Sequence, residues 1–156
     1  MSAQPLTLEH GVIDPVLAAQ TGFDLLASLD ACWKKRGEPA SFAYYTVPNA
    51  IVPEVPSIEI VLGQIALPDG APNYVGCGIF FGEASLPEHI DNEEFEQVKA
   101  INCIGNGLVH GEGIEPTYLH AGDGFHVDNR QRRVSHGVDS LSIPRVCLIL
   151  GWTNGC

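Results

Sequence analysis

Positive charge is scarce in this sequence. Lys and Arg together number 8 against 19 Asp and Glu, a formal net charge of -11. Such a surface disfavours non-specific contact with nucleic acid or an anionic membrane. The one basic cluster, "RQRR" at 130–133, is too short to reverse that. Long apolar runs are absent too, and none approaches the roughly 20 residues that span a bilayer. The first residues, "MSAQPLTLEHGVIDP", lack a basic stretch followed by an apolar block. A cytoplasmic protein without a signal peptide is expected. The five cysteines, Cys32, Cys77, Cys103, Cys147 and Cys156, are odd in number and form no C-x-x-C pair. They read as small buried thiols in a reducing compartment, not as a disulfide framework.

Further absences narrow the chemistry. There is no Gly-x-Ser-x-Gly elbow, and no cysteine lies near a convincing base. Gly105-Asn106-Gly107 lacks the lysine and following helix of a phosphate-binding loop. Internal repeats, low-complexity tracts and dividing linkers are likewise missing. At 156 residues with 45% hydrophobic content, one domain over residues 1–156 with one core is expected.

One helix is expected over about 14–36. Asp14 suits its N-cap and Pro15 its first position. Val16, Leu17, Phe23, Leu25, Leu26, Leu29 and Trp33 form its apolar stripe. Lys34, Lys35 and Arg36 suit the dipole of a last turn, and Gly37 can end it. Trp33 reads as a core residue. From about 41 to 153, short runs rich in β-branched and aromatic residues alternate with Gly, Pro and Asn. Strands are expected at 41–47, 57–63, 73–82, 95–105, 116–122, 124–129, 132–138 and 144–153. "PNAIVPEVP" (48–56) is expected to be a loop. The pattern predicts a mainly β jelly roll with one N-terminal helix packed on it.

The chemistry concentrates in "LPEHIDNEEF" (86–95). On a strand, His89 and Asp91 point to the same side and can reach one metal ion. Imidazole plus carboxylate suits a first-row divalent ion. Alone, the pair is weak evidence, and an acidic surface loop with a histidine is the readier explanation. Further on, His136 lies 47 positions after His89, and Arg145 nine after His136, at the head of the apolar run "VCLILGW". Two His and one carboxylate make the facial triad of non-heme iron oxygenases. An arginine at that place can anchor the far carboxylate of a dicarboxylic cosubstrate through paired charge-assisted hydrogen bonds.

With His89-x-Asp91, His136 and Arg145 in this order, the sequence resembles the iron(II)/2-oxoglutarate-dependent oxygenases. Within them it looks like the branch of aspartyl/asparaginyl β-hydroxylases and small amino-acid hydroxylases. "KAINCIGNG", "LHAGDGFHVDNRQRRVSHGVDS" and "PRVCLILGW" carry the same texture, so the resemblance spans roughly residues 74–153. The first 73 residues carry no recognised motif. The resemblance implies a double-stranded β-helix with Fe²⁺ held by His89, Asp91 and His136. It implies that 2-oxoglutarate pairs with Arg145 and is converted with O₂ to succinate and CO₂ while a substrate is hydroxylated. Many members have a second polar or basic group beside that carboxylate, and Lys99 is the candidate here; it could equally face solvent. The substrate side stays open: a free amino acid, a peptide side chain or a small metabolite. The chain offers little material for a lid, so a second copy could supply a wall.

Rival readings stand beside this one. "GFHVDN" offers His126 and Asp128 with His136 ten residues on. The His89 set is preferred because its spacing leaves room for intervening strands. Asp123 in "AGDG" reads as a turn residue more readily than a catalytic one. "RQRR" could guide an anionic substrate or simply face solvent. Glu93, Glu94 and Glu96 could border the entrance and favour a cationic guest, or form a solvated loop. His10, His110 and His120 fit no ligand spacing. A non-catalytic jelly roll that kept the fold, and a cupin-like metalloenzyme without 2-oxoglutarate, are the remaining alternatives. The cupin His-x-His run is missing.

Overall fold

The computed structural model describes residues 5–38, 41–81, 86–142 and 144–154. These form β1 (Leu6–Glu9), α1 (Pro15–Ala27), α2 (Leu29–Cys32), β2 (Trp33–Glu38), β3 (Ser41–Thr46), α3 (Ser57–Gln64) and β4 (Tyr74–Phe81). They continue as β5 (Leu86–His89), β6 (Phe95–Ile104), β7 (Gly107–Gly111), β8 (Ile114–Leu119), β9 (Gly124–Asp128), β10 (His136–Ser140) and β11 (Arg145–Thr153). A seven-stranded sheet runs β1-β9-β6-β11-β4-β3-β2, and a four-stranded sheet β5-β10-β7-β8 faces it. Among the described residues every pairing of these strands is antiparallel, as in a jelly roll.

The helix starts where expected. Asp14 accepts a 2.7 Å hydrogen bond from the Val16 amide, and Pro15 opens the first turn. It ends much earlier than expected. Ser28 closes α1 by donating from Oγ to Leu25 O at 2.8 Å and accepting from the Trp33 indole at 3.2 Å. After the short α2 the chain turns extended, so Lys34, Lys35 and Arg36 lie in strand β2, not in a last helical turn. Each residue of β2 pairs with β3, from Trp33↔Thr46 to Glu38↔Ser41. This ladder outweighs a helix propensity of only tenths of a kcal/mol per residue. Basic side chains also suit an edge strand, where charge blocks pairing with other chains.

The second correction is α3, where a strand was expected over 57–63. Ile58 and Val61 are buried while Glu59 and Ile60 between them are exposed. That is a helical period masked by β-branched residues. Ser57 donates to Asp24 of α1 at 3.3 Å. β1, β2, β5 and β7 were not anticipated; each is short, at a sheet edge or glycine-bearing. The loop at 48–56 and the other expected strands are present, some with shifted ends.

Two cores follow from the layering. The helices cover the outer face of the large sheet, burying Leu25, Ile58, Val61, Ile79, Ile101 and Leu148. Each such side chain contributes on the order of 1.5–3 kcal/mol. Between the sheets, Leu6, Val98, Val109, Leu119, Phe125, Val127 and Val138 form the other. Cys32, Cys77, Cys103 and Cys147 are free and buried, while Cys156 lies outside the described residues. Burial pushes the Cys103 thiol up to about 12, which keeps it unreactive. No described helix is long and apolar enough to cross a membrane.

Candidate metal centre

β5 and β10 are neighbours in the small sheet, and their register sets His136 opposite His89. The two rings lie 4.5 Å apart between centroids. Asp91, just beyond the end of β5, turns back between them. Its Oδ1 lies 3.4 Å from Nε2 of His89 and 3.4 Å from Nε2 of His136. One potential donor atom from each of the three residues falls within 4.8 Å of the others. His136 is buried, whereas His89 keeps access to the cavity. Among the described residues, no other group of three His, Cys, Asp or Glu side chains converges in this way.

The backbone dictates which nitrogen each histidine presents. His136 Nδ1 lies 3.0 Å from Val134 O, and His89 Nδ1 lies 2.8 Å from Pro87 O. A carbonyl only accepts, so both Nδ1 atoms carry the proton and donate. Nε2 is therefore the atom that each ring turns toward Asp91, donating to it while the ring carries a second proton and ligating a cation once that proton has left. Burial by itself would raise the Asp91 pKa. Hydrogen bonds from His136 and His89, with the His136 charge and Asn129, outweigh it and hold the carboxyl well below the usual range. Asp91 is therefore an anion at neutral pH. Two imidazoles and one carboxylate with an open side fit a first-row divalent ion such as Fe²⁺.

Asn129 and Arg133 position this group, and the sequence offered no signal for either beyond a turn. Asn129 Nδ2 donates to Asp91 Oδ2 at 3.1 Å, and its Oδ1 accepts from the Val134 amide at 3.1 Å. Arg133 donates to the carbonyls of Asn92 (2.9 Å), Phe95 (2.7 Å) and Glu93, clamping the loop that carries Asp91. The other two arginines of "RQRR" are paired as well. Arg130 meets Asp128 at 2.7 Å and Asp69 at 3.3 Å, and Arg132 meets Glu112 at 2.6 Å. Both pairs lie on an exposed face.

Arg145 shares the triad's cavity, which has a volume of about 500 Å³. It is 2% exposed, although it is a cation. Nε donates to Ser140 Oγ at 3.0 Å, and the guanidinium lies 4.3 Å from the centre of the Phe80 ring. Nη2 is buried with no hydrogen-bond partner among the described residues. A buried, unsatisfied guanidinium nitrogen costs free energy, so it marks a place where an anion would be held. The turn "GNG" makes room for it: a Cβ at Gly107 would lie 3.3 Å from Arg145 Cδ.

Lys99 does not meet its expectation. β6 alternates, and Val98, Ala100 and Asn102 line the cavity. Lys99 points to the opposite face, where its Nζ pairs with Glu9 Oε1 at 2.9 Å. Asn102 is the polar residue of β6 on the cavity side, and its Oδ1 is buried without a partner. The rival set also falls apart. His126 sits on the Lys99 side, within 2.9 Å of Gln97 Oε1, and Asp128 is taken by Arg130. Asp123 is a turn residue, accepting from the amides of Gly11 and His120 at 2.9 Å each. His110 lies between Asp139 and Glu88, His120 against Asn106, and His10 near Asp123.

No protein-family model matches the sequence, and no curated protein is similar to it. Solved structures do share the architecture. The non-heme alpha ketoglutarate dependent epimerase SnoN from nogalamycin biosynthesis is 15% identical, with a TM-score of 0.66 over 96% of this chain and 78% of that one. A Pseudomonas putida prolyl-4-hydroxylase is 7% identical, with a TM-score of 0.61 over 97% of this chain and 94% of its own. The Escherichia coli ribosomal oxygenase YcfD is 12% identical, with a TM-score of 0.67; this chain matches 48% of its length. The fold is the jelly roll these oxygenases share. At such identities the likeness establishes architecture, and the activity must be argued from the site.

Proposed function

We propose that this protein is an Fe²⁺- and 2-oxoglutarate-dependent oxygenase that hydroxylates a small molecule. One observation carries the reading. The triad of His89, Asp91 and His136 shares one cavity with Arg145, a buried cation with an unpartnered nitrogen. The spacing of the four residues along the chain supports kinship with the aspartyl/asparaginyl β-hydroxylase branch.

When bound, iron and 2-oxoglutarate supply the oxidising power: O₂ and the 2-oxo acid become succinate, CO₂ and an oxygen atom given to the substrate. The chain's own groups hold and orient. His89 and His136 present Nε2 because the carbonyls of Pro87 and Val134 fix their tautomers. Asp91 would contribute one negative charge, and together with His89 and His136 it would hold the ion. Arg145, against Phe80 and steadied by Ser140, would hold the far carboxylate of the cosubstrate through Nη2. The apolar walls limit water around the reacting groups.

Anaerobic titration with Fe²⁺ and then 2-oxoglutarate tests the reading. Both bind, and admission of O₂ yields succinate even without added substrate. Failure of either ligand to bind, with the protein folded, overturns it.

A further inference from the structure

Tyr74, Phe80 and Phe95 line the cavity, and their rings lie over glycine backbone. On the triad side of the large sheet, β4 and β11 carry glycine at three positions where side chains would otherwise stand. A Cβ at Gly76 would lie 2.8 Å from the Tyr74 ring, one at Gly78 2.9 Å from the Phe80 ring, and one at Gly151 2.6 Å from the Phe95 ring. The rings therefore rest where those side chains would be. Tyr74 and Phe95 meet edge to face with centroids 5.0 Å apart, and Tyr45 meets Phe80 likewise at 5.7 Å. Ile90, between the two ligands of the first motif, lines the mouth and is 56% exposed.

Charge is distributed just as unevenly. Among the described residues lining the cavity, Arg145 is the one Lys or Arg, and Asp91 the one carboxylate. Asp91 is occupied by His89, His136 and Asn129. Glu93, Glu94 and Glu96 do not line the cavity, so a guest inside it meets none of them in contact, and Glu94 acts there only at a distance, through its field at Tyr74. With Arg145 committed to the cosubstrate, a charged guest group would be desolvated without an opposite charge, which is strongly unfavourable. Rings and aliphatic walls instead favour a guest with an apolar body, with edge and face contacts adding to area burial, and Asn102 Oδ1 leaves an acceptor for at most a neutral polar group.

We propose that the space beside the triad takes an uncharged, ring-bearing apolar small molecule and selects against a zwitterionic amino acid. This rests on the oxygenase reading, because that reading reserves Arg145 for 2-oxoglutarate. The test uses four compounds with one ring and different charge: 4-ethylphenol, tyramine, 3-(4-hydroxyphenyl)propionate and tyrosine. Binding is measured by saturation-transfer NMR on the full chain with Zn²⁺ and saturating 2-oxoglutarate, whose own affinity is determined separately by calorimetry. The expected result is that 4-ethylphenol binds at least tenfold tighter than each charged congener. Tyr74→Ala weakens it at least fivefold, whereas Tyr74→Phe, which keeps the ring, restores it. If 2-oxoglutarate binds and tyramine or tyrosine equals or exceeds 4-ethylphenol, or no congener binds, the substrate assignment is overturned. If 2-oxoglutarate fails to bind while the preference for 4-ethylphenol persists, the cosubstrate reading falls and the apolar site stands.

Discussion

Asn129 joins the two halves of the triad through one amide group: Nδ2 donates to Asp91 Oδ2, and Oδ1 accepts from the Val134 amide, each at 3.1 Å. Val134 in turn offers its carbonyl to His136 Nδ1. The acceptor and donor ends are therefore both spoken for, and the amide cannot flip without losing both contacts. Asn129→Ala is expected to weaken metal binding about 10- to 100-fold, the usual cost of removing an outer partner of a ligand. Asn129→Asp sets a second carboxylate against Asp91 and weakens it further. Titration with Co²⁺ reads the affinity, and a shifted visible spectrum separates altered ligand geometry from general destabilisation. An unchanged affinity and spectrum in Asn129→Ala would remove the residue from this role.

Arg145→Gln is expected to cost 2-oxoglutarate affinity on the order of 30-fold or more while leaving metal affinity within about threefold. Truncating one side of a buried charge pair costs about 2–5 kcal/mol. Arg145→Lys keeps the charge but lacks the planar fork, so it restores only part of the binding. Calorimetric titration of the metal-loaded protein distinguishes the three.

Lys99 faces away from the cavity and holds Glu9. Lys99→Met should leave 2-oxoglutarate affinity within about twofold and lower the urea midpoint, because it strands a partly buried carboxylate of β1 by roughly 1–3 kcal/mol. A large loss of cosubstrate binding without loss of stability would contradict this placement.

Acid stability should depend on Asp123. Burial works to raise its pKa, but hydrogen bonds from the backbone amides of His120 and Gly11, and the nearby His10, lower it overall. A carboxyl with a depressed folded pKa stabilises the fold fully above its unfolded value of about 3.9, and the benefit fades as pH falls through the lower folded value. Asp123→Asn should therefore cost about 1–2 kcal/mol at pH 7. The difference from the parent should shrink below roughly pH 4 in urea melts recorded across the acid range.

Gly22 lets α1 sit close on β6. In an open helix Gly→Ala would stabilise by roughly 0.5–1 kcal/mol. Here the new methyl would come 2.6 Å from Ile104 Cδ1 and 3.3 Å from Cys103 Cβ. Overpacking should prevail, and Gly22→Ala is expected to destabilise by about 1–3 kcal/mol in thermal or urea unfolding.

The sequence by itself determined what depends on local chemistry. Asp14 and Pro15 mark a helix start wherever they precede an apolar stripe. Runs such as "YVGCGIFF" and "VCLILGW" have few alternatives to a buried strand. His89-x-Asp91, then His136 and Arg145, announce a ligand set by residue type and order. Tertiary structure decided the rest. Whether "SIEIVLG" is strand or helix turned on having α1 beside it rather than a strand partner. "WKKRGE" became a strand because β3 offered it a ladder. His126-x-Asp128 and His89-x-Asp91 are the same motif, yet register and sheet face brought only the latter to His136. Lys99 and Asn102 differ in the same way: alternation along β6 sends one to Glu9 and the other to the cavity. A strand's two faces are equivalent until neighbouring strands lock its register, and that locking is made by residues far away in the chain.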